Sequence, residues 1–109
     1  MAFDPGSAER IRNLLANHRG VVEKRMFGGL AFMVQGHMCI GVAGDELMVR
    51  VGADGHADAL SQPHARAMDF TGRPMKGFVF VALPGYEAEA ALQAWLDRGL
   101  RHVLLLPPK

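Results

Sequence analysis

Residues 29–43, Gly-Leu-Ala-Phe-Met-Val-Gln-Gly-His-Met-Cys-Ile-Gly-Val-Ala, decide the fold. Two apolar runs flank a two-residue Gln35-Gly36 step, the mark of a β-hairpin closed by a tight turn. Such a turn sets Val34 opposite His37 and Met33 opposite Met38. One face of the hairpin then carries Leu30, Phe32, Val34 and Cys39; the other carries Ala31, Met33, Met38, Ile40 and Val42. Both faces are apolar. A sheet with one wet face alternates apolar and polar residues, so this hairpin is predicted to be covered on both sides.

Working outward, Val22–Phe27 and Leu47–Val51 read as strands on either flank, separated from the hairpin by Gly28-Gly29 and Gly44-Asp45. Two strands meet at Gly28-Gly29 with no room for a longer loop, which predicts a positive φ or a close backbone approach there. Upstream, Asp4-Pro5 offers an N-cap and a proline at the first helical position. Ala8, Ile11, Leu15 and His18 then follow at helical spacing, and Gly20 stands where a helix-terminating glycine falls. Downstream, Asp54–Gln62 reads as a short helix, residues 63–77 as an irregular segment, and Lys76–Ala82 as a fifth strand. After Pro84-Gly85, the stripe Ala88, Ala91, Leu92, Trp95, Leu96, Gly99 and Val103 marks the clearest helix. The expected fold is α+β, an antiparallel sheet of about five strands flanked by helices, in the order α-β-β-β-β-α-β-α. Met33, Met38, Ile40, Phe78, Phe80, Leu92, Trp95 and Leu96 are its predicted core.

With 109 residues the chain fits a single domain spanning 1–109, and with 50% hydrophobic residues it has enough apolar side chains for a core. Lys+Arg of 12 against Asp+Glu of 11 leaves a net charge of +1, too little to select nucleic acid or a membrane surface. No secretory signal is expected in residues 1–12, which lack a hydrophobic run. A single cysteine, Cys39, cannot pair within the chain, so a reducing, cytoplasmic setting is expected.

Few residues suggest chemistry. Cys39 needs a histidine within reach to act as a nucleophile, and on an apolar strand face it reads as a buried structural thiol. The five histidines are not at ligand spacing, so no metal is expected, and no cofactor either. Gly28-Gly29 lacks the further glycines and the following helix of a phosphate loop. Asp45-Glu46 reads as a solvated turn. The remaining candidate is a polar cluster in the irregular segment: His64, Arg66, Asp69 and Arg73, with Lys76 beside them. There Asp69 is expected to pair with Arg66, Arg73 or Arg50 and pin the loop.

Four motifs in order carry a resemblance: Arg25-Met26-Phe27-Gly28-Gly29-Leu30, Gly36-His37-Met38, Leu47-Met48-Val49-Arg50-Val51 and Gly72-Arg73-Pro74-Met75. Together, across Val21 to Ala82, they resemble the TfoX/Sxy N-terminal domain family. That resemblance implies a two-layer α+β fold similar to secretion chaperones. Members of the family look like regulators of natural competence, acting as coactivators alongside the cyclic-AMP receptor protein. Those regulators carry a second, helical domain, and the present chain is expected to stand without it. The resemblance supplies no catalytic residues. Arg25, Met26, Phe27, Gly28, Gly29, Arg50, Arg73 and Pro74 transfer as a family signature, not as a site.

The expected function is that of a non-enzymatic regulatory or protein-interaction domain, with a protein partner and no direct contact to nucleic acid or membrane. The rival is a small ligand-binding protein or enzyme with a pocket under residues 63–77. Geometry separates them, because a binding protein brings its polar groups together in one concavity. The doubly apolar hairpin adds a choice of cover, either residues 63–77 or a second copy of the chain. A two-fold homodimer is the preferred expectation.

Overall fold

Gln35 and Gly36 both take positive φ, 53° and 87°, as a two-residue hairpin turn of type I′ requires. The turn joins β2 (Gly29–Val34) to β3 (His37–Ala43), with Val34 opposite His37 and Met33 opposite Met38 as expected. One step further the register shifts, and Phe32 faces Ile40. Cys39 is therefore an extra residue in β3, a bulge that puts Cys39 and Ile40 in succession on the same side. Beyond a bulge every side chain changes face. Ile40 and Val42 thus join Leu30, Phe32 and Val34, which corrects their expected grouping with Ala31, Met33 and Met38.

The structure, a computed structural model, describes residues 3–26, 28–70 and 73–107, and not the side chains of Phe70 and of 73–75. The remaining elements are α1 (Pro5–Leu14), β1 (Val21–Met26), β4 (Glu46–Arg50), α2 (Gly52–Leu60), β5 (Ala65–Phe70), β6 (Arg73–Val81), a 3₁₀ turn at Leu83–Gly85, and α3 (Glu89–Val103). All neighbouring strands are antiparallel in a six-stranded sheet ordered β1-β2-β3-β4-β6-β5. The sixth strand comes from the segment read as irregular: β5 pairs antiparallel with β6, and the register slips between Ala67 and Asp69.

Local chemistry explains most boundaries. Asp4 caps α1, accepting from the Ser7 amide at 3.1 Å and the Ser7 hydroxyl at 2.7 Å. The helix ends at Leu14, short of Gly20, so His18 is exposed outside it; Gly20 instead opens the strand region, its carbonyl accepting from Gln35 N at 2.9 Å. At the β1–β2 turn Gly28 has φ 74°, and a Cβ on Gly29 would stand 2.1 Å from the Val42 carbonyl oxygen. Both forms of the predicted constraint are present.

Two apolar clusters lie on opposite faces of the sheet. The larger holds every buried helical side chain of either cluster: Ala8 and Ile11 from α1, Ala59 from α2, and Leu92, Trp95, Leu96, Leu100 and Val103 from α3. α3 crosses β3 closely, because Gly99 sits where a Cβ would meet both the oxygen and the sulfur of Cys39 at 3.0 Å. The fully buried Tyr86 ties the edges together. Its hydroxyl donates to the Asp45 carbonyl at 2.6 Å and lies 3.0 Å from the Ser7 hydroxyl, linking α1, the β3–β4 turn and the entry to α3.

Candidate functional site

The second cluster is built from strands alone among the described residues. Ala31, Met38, Met48, Met68 and Phe80 form its centre, with Met26, Met33, Ala43 and Phe78 packed around them. Register places further residues on this face. Val22 is opposite Met33, Lys24 opposite Ala31, Glu46 opposite Ala43, Arg50 opposite Phe78 and Arg66 opposite Phe80. The guanidinium of Arg50 lies 5.7 Å from the Phe78 ring centre and that of Arg66 lies 4.5 Å from the Phe80 ring centre, so both aromatics carry a cation on one side. Val22, at 61% exposure, is the open apolar end of the face.

The four residues of the predicted polar cluster do not meet in one described site. His64, at positive φ of 68°, lines a cavity of about 340 Å³ with Gln62, Pro63, Pro84, Gly85, Trp95 and Arg98. Arg66 points to the opposite face, where it donates to both carboxylate oxygens of Glu46, at 3.0 and 2.7 Å. Arg66 is thus hydrogen-bonded to Glu46, and the expected pairing of Asp69 with Arg73 falls outside the described residues. The side chain of Arg73 lies outside the described residues.

A second cavity, about 270 Å³, separates α2 from α3. Its walls are two helical stripes, Val51, Asp54, Gly55 and Asp58 against Arg98, Arg101, His102 and Leu105. Arg98 spans it to Asp58 at 2.7 Å and also lies 5.2 Å from the Trp95 ring centre. Burial and the nearby Arg50 guanidinium hold His102 below the ordinary imidazole value. This groove was missed from the sequence, although both stripes repeat at i, i+3, i+4 and i+7.

Cys39 and Tyr86 are locked into the fold. Burial pushes the Cys39 thiol up to about 12, well away from thiolate chemistry near neutrality. Burial likewise raises Tyr86, whose hydroxyl is already committed to the Asp45 carbonyl. Among the described residues no group of three His, Cys, Asp or Glu side chains is placed to hold a metal ion. Nor is any described helix long and apolar enough to cross a membrane.

A family model described as the TfoX N-terminal domain matches residues 13–103. The chain belongs to the TfoX N-terminal domain family. No curated protein and no solved structure matches it. The structure gives the signature residues of this TfoX domain positions along its strands and turns. Gly28 and Gly29 make the β1–β2 turn, Met26 enters the methionine cluster, Arg25 lies 5.8 Å from the Phe3 ring centre, and Arg50 covers Phe78. Phe27 and the side chains of Arg73 and Pro74 lie outside the described residues.

Proposed function

We propose that this TfoX domain is a non-enzymatic regulatory domain that works in the cytoplasm by contact with a protein, and that the methionine face of the sheet is the contact surface. The observation that carries this reading is the composition of that face. Met26, Met33, Met38, Met48 and Met68 all belong to it, beside Phe78 and Phe80 with their arginines. Methionine, aromatics and arginine are the residue types enriched where proteins meet, and the thioether adapts to differently shaped partners. The committed state of Cys39, Tyr86 and Arg66 supports the non-enzymatic part.

A photo-cross-linking amino acid at Val22, compared with one at the 82% exposed Leu105, tests the surface in the source cell. Adducts with a protein from position 22 and not from position 105 are expected. Equal or absent labelling at position 22 removes the methionine face as the contact. A ligand-binding reading rests on the cavity that His64 shares with Trp95 and Arg98. Its signature is a metabolite-induced rise in Tm that His64→Ala abolishes.

A further inference from the structure

The methionine face contains a trough. Following the register across the strands, one row runs Lys24, Ala31, Gly41, Met48, Phe80, Arg66. The two smallest residues, Ala31 and Gly41, stand side by side between large ones. The space above them is occupied by a thioether: a Cβ placed on Gly41 would stand 2.9 Å from the terminal methyl of Met48. Met48 therefore lies over the glycine and fills the depression from the neighbouring strand. Met48 is fully buried there, and an unbranched side chain with three rotatable bonds can exchange that burial for burial against an incoming apolar group, leaving a depression floored by backbone and one methyl group.

Register places three cations, Lys24, Arg50 and Arg66, and one carboxylate, Glu46, on the face around this plug. Glu46 is taken up by Arg66 through two hydrogen bonds. Lys24 and Arg50, on either side of the trough, have no ion-pair partner among the described residues. We propose that the trough receives an acidic polypeptide segment whose apolar anchor displaces Met48 and whose carboxylates pair with Lys24 and Arg50. This rests on the methionine face being the contact surface. Charge complementarity selects the occupant. A second copy of this chain would bring the same excess of cations to the shared interface, with its Glu46 already taken up by Arg66, and supplies no carboxylate for Lys24 and Arg50. A single-stranded nucleic acid would seek open aromatic faces to stack its bases, whereas Phe78 and Phe80 each carry a guanidinium.

The test is a titration of the full chain, labelled with ¹³C at the methionine methyls, with three probes. They are the capped peptide Glu-Glu-Leu-Leu-Phe-Glu-Glu, its counterpart with lysine in place of glutamate, and a twelve-residue oligothymidylate. The Met48 methyl is expected to shift most and saturably with the glutamate peptide, at least tenfold tighter than with the lysine peptide. The double variant Lys24→Glu, Arg50→Glu should invert that preference, and the single Lys24→Gln should weaken it several-fold if the double variant does not fold.

Equal affinity for the two peptides overturns the acidic occupant while leaving the cross-linking result at Val22, and the contact surface, intact. Tighter binding of the oligonucleotide overturns it in favour of a nucleic acid. Concentration-dependent shifts of the same methyls without any probe, with a dimer mass in light scattering, overturn it in favour of a second copy. A Met48 methyl that none of the probes moves also overturns it.

Discussion

The two faces of this sheet solve burial by opposite means. On one, three helices close over β-branched and aromatic side chains, with Trp95, Leu96 and Leu92 seated on β3 and β4. None of Met26, Met33, Met38, Met48 and Met68 is found there. On the other, no described helix contributes, and the strands bury their own methionines and phenylalanines under one another and under Arg50 and Arg66. The difference lies in the side chains: those described on the second face are long and flexible and lie across one another and across the sheet. The first face has the shape-specific packing of a core. The second has the adaptability of a surface.

The largest expected contrast is at Trp95. Trp95→Ala should lower stability by about 3–5 kcal/mol in reversible denaturation, as truncation of a large core aromatic does. A loss below about 1 kcal/mol would show that the helix-covered side is not the tightly packed one. Tyr86→Phe comes next at about 1–3 kcal/mol, because it leaves the Asp45 carbonyl and the Ser7 hydroxyl without their shared partner. An unchanged Tm would mean that water satisfies both.

Alkaline pH sharpens the comparison further. The Cys39 thiol, ordinarily at 9.0, is held up to about 12 in the folded chain, so the unfolded chain loses its proton first. Stability should be flat with respect to this group below pH 9.0 and fall between there and pH 12, by at most about 1.4 kcal/mol per pH unit. Tyr86, ordinarily at 10.0 and raised by the same burial, adds to the fall from about pH 10 upward. Cys39→Ala should flatten the first part of the slope when the two chains are compared by urea denaturation. An identical slope in the variant would mean that the thiol is not buried on the helix side.

The methionine face should respond weakly. Met48→Leu, similar in volume, is expected to cost less than about 1.5 kcal/mol. A cost matching that of Trp95→Ala would make this face a second rigid core and erase the contrast. Smallest of all is Arg66→Gln, since its pair with Glu46 is exposed. Such pairs contribute about 0.2–1 kcal/mol, and the variant should keep its Tm within a few degrees.

How far the sequence reveals this architecture varies by element. The β2–β3 hairpin is legible because Gln35-Gly36 separates two apolar runs by the turn length that fixes register. The bulge at Cys39 is not, because its signal would be a break in alternation, and alternation is absent where both faces are apolar. β5 escapes notice since Arg66 and Asp69 interrupt its apolar residues and only Met68 among its described side chains is fully buried. The helix-side core is legible in the period of α3, where Leu92, Trp95, Leu96 and Val103 all prove buried. The contact face is not, because Met26, Met33, Met38, Met48 and Met68 share no period and are gathered only by strand pairing. Glu46 and Arg66 are 20 residues apart, and Asp58 and Arg98 are 40 apart, so no spacing rule joins either pair.

The one extra residue at Cys39 makes chain length itself carry information. Counting outward from the Gln35-Gly36 turn, side chains before the bulge reach a given face on one parity and those after it on the other. Deleting a single codon between His37 and Cys39 would leave the composition of β3 almost untouched. It would remove the extra residue, so that the turn register runs on without a shift and Ile40, Gly41 and Val42 still meet Phe32, Ala31 and Leu30 on the faces they occupy now. An insertion of one residue in the same stretch acts in the other direction: the strand must hold two extra residues at the bulge, or Ile40 and Val42 leave the helices and Gly41 and Ala43 replace them.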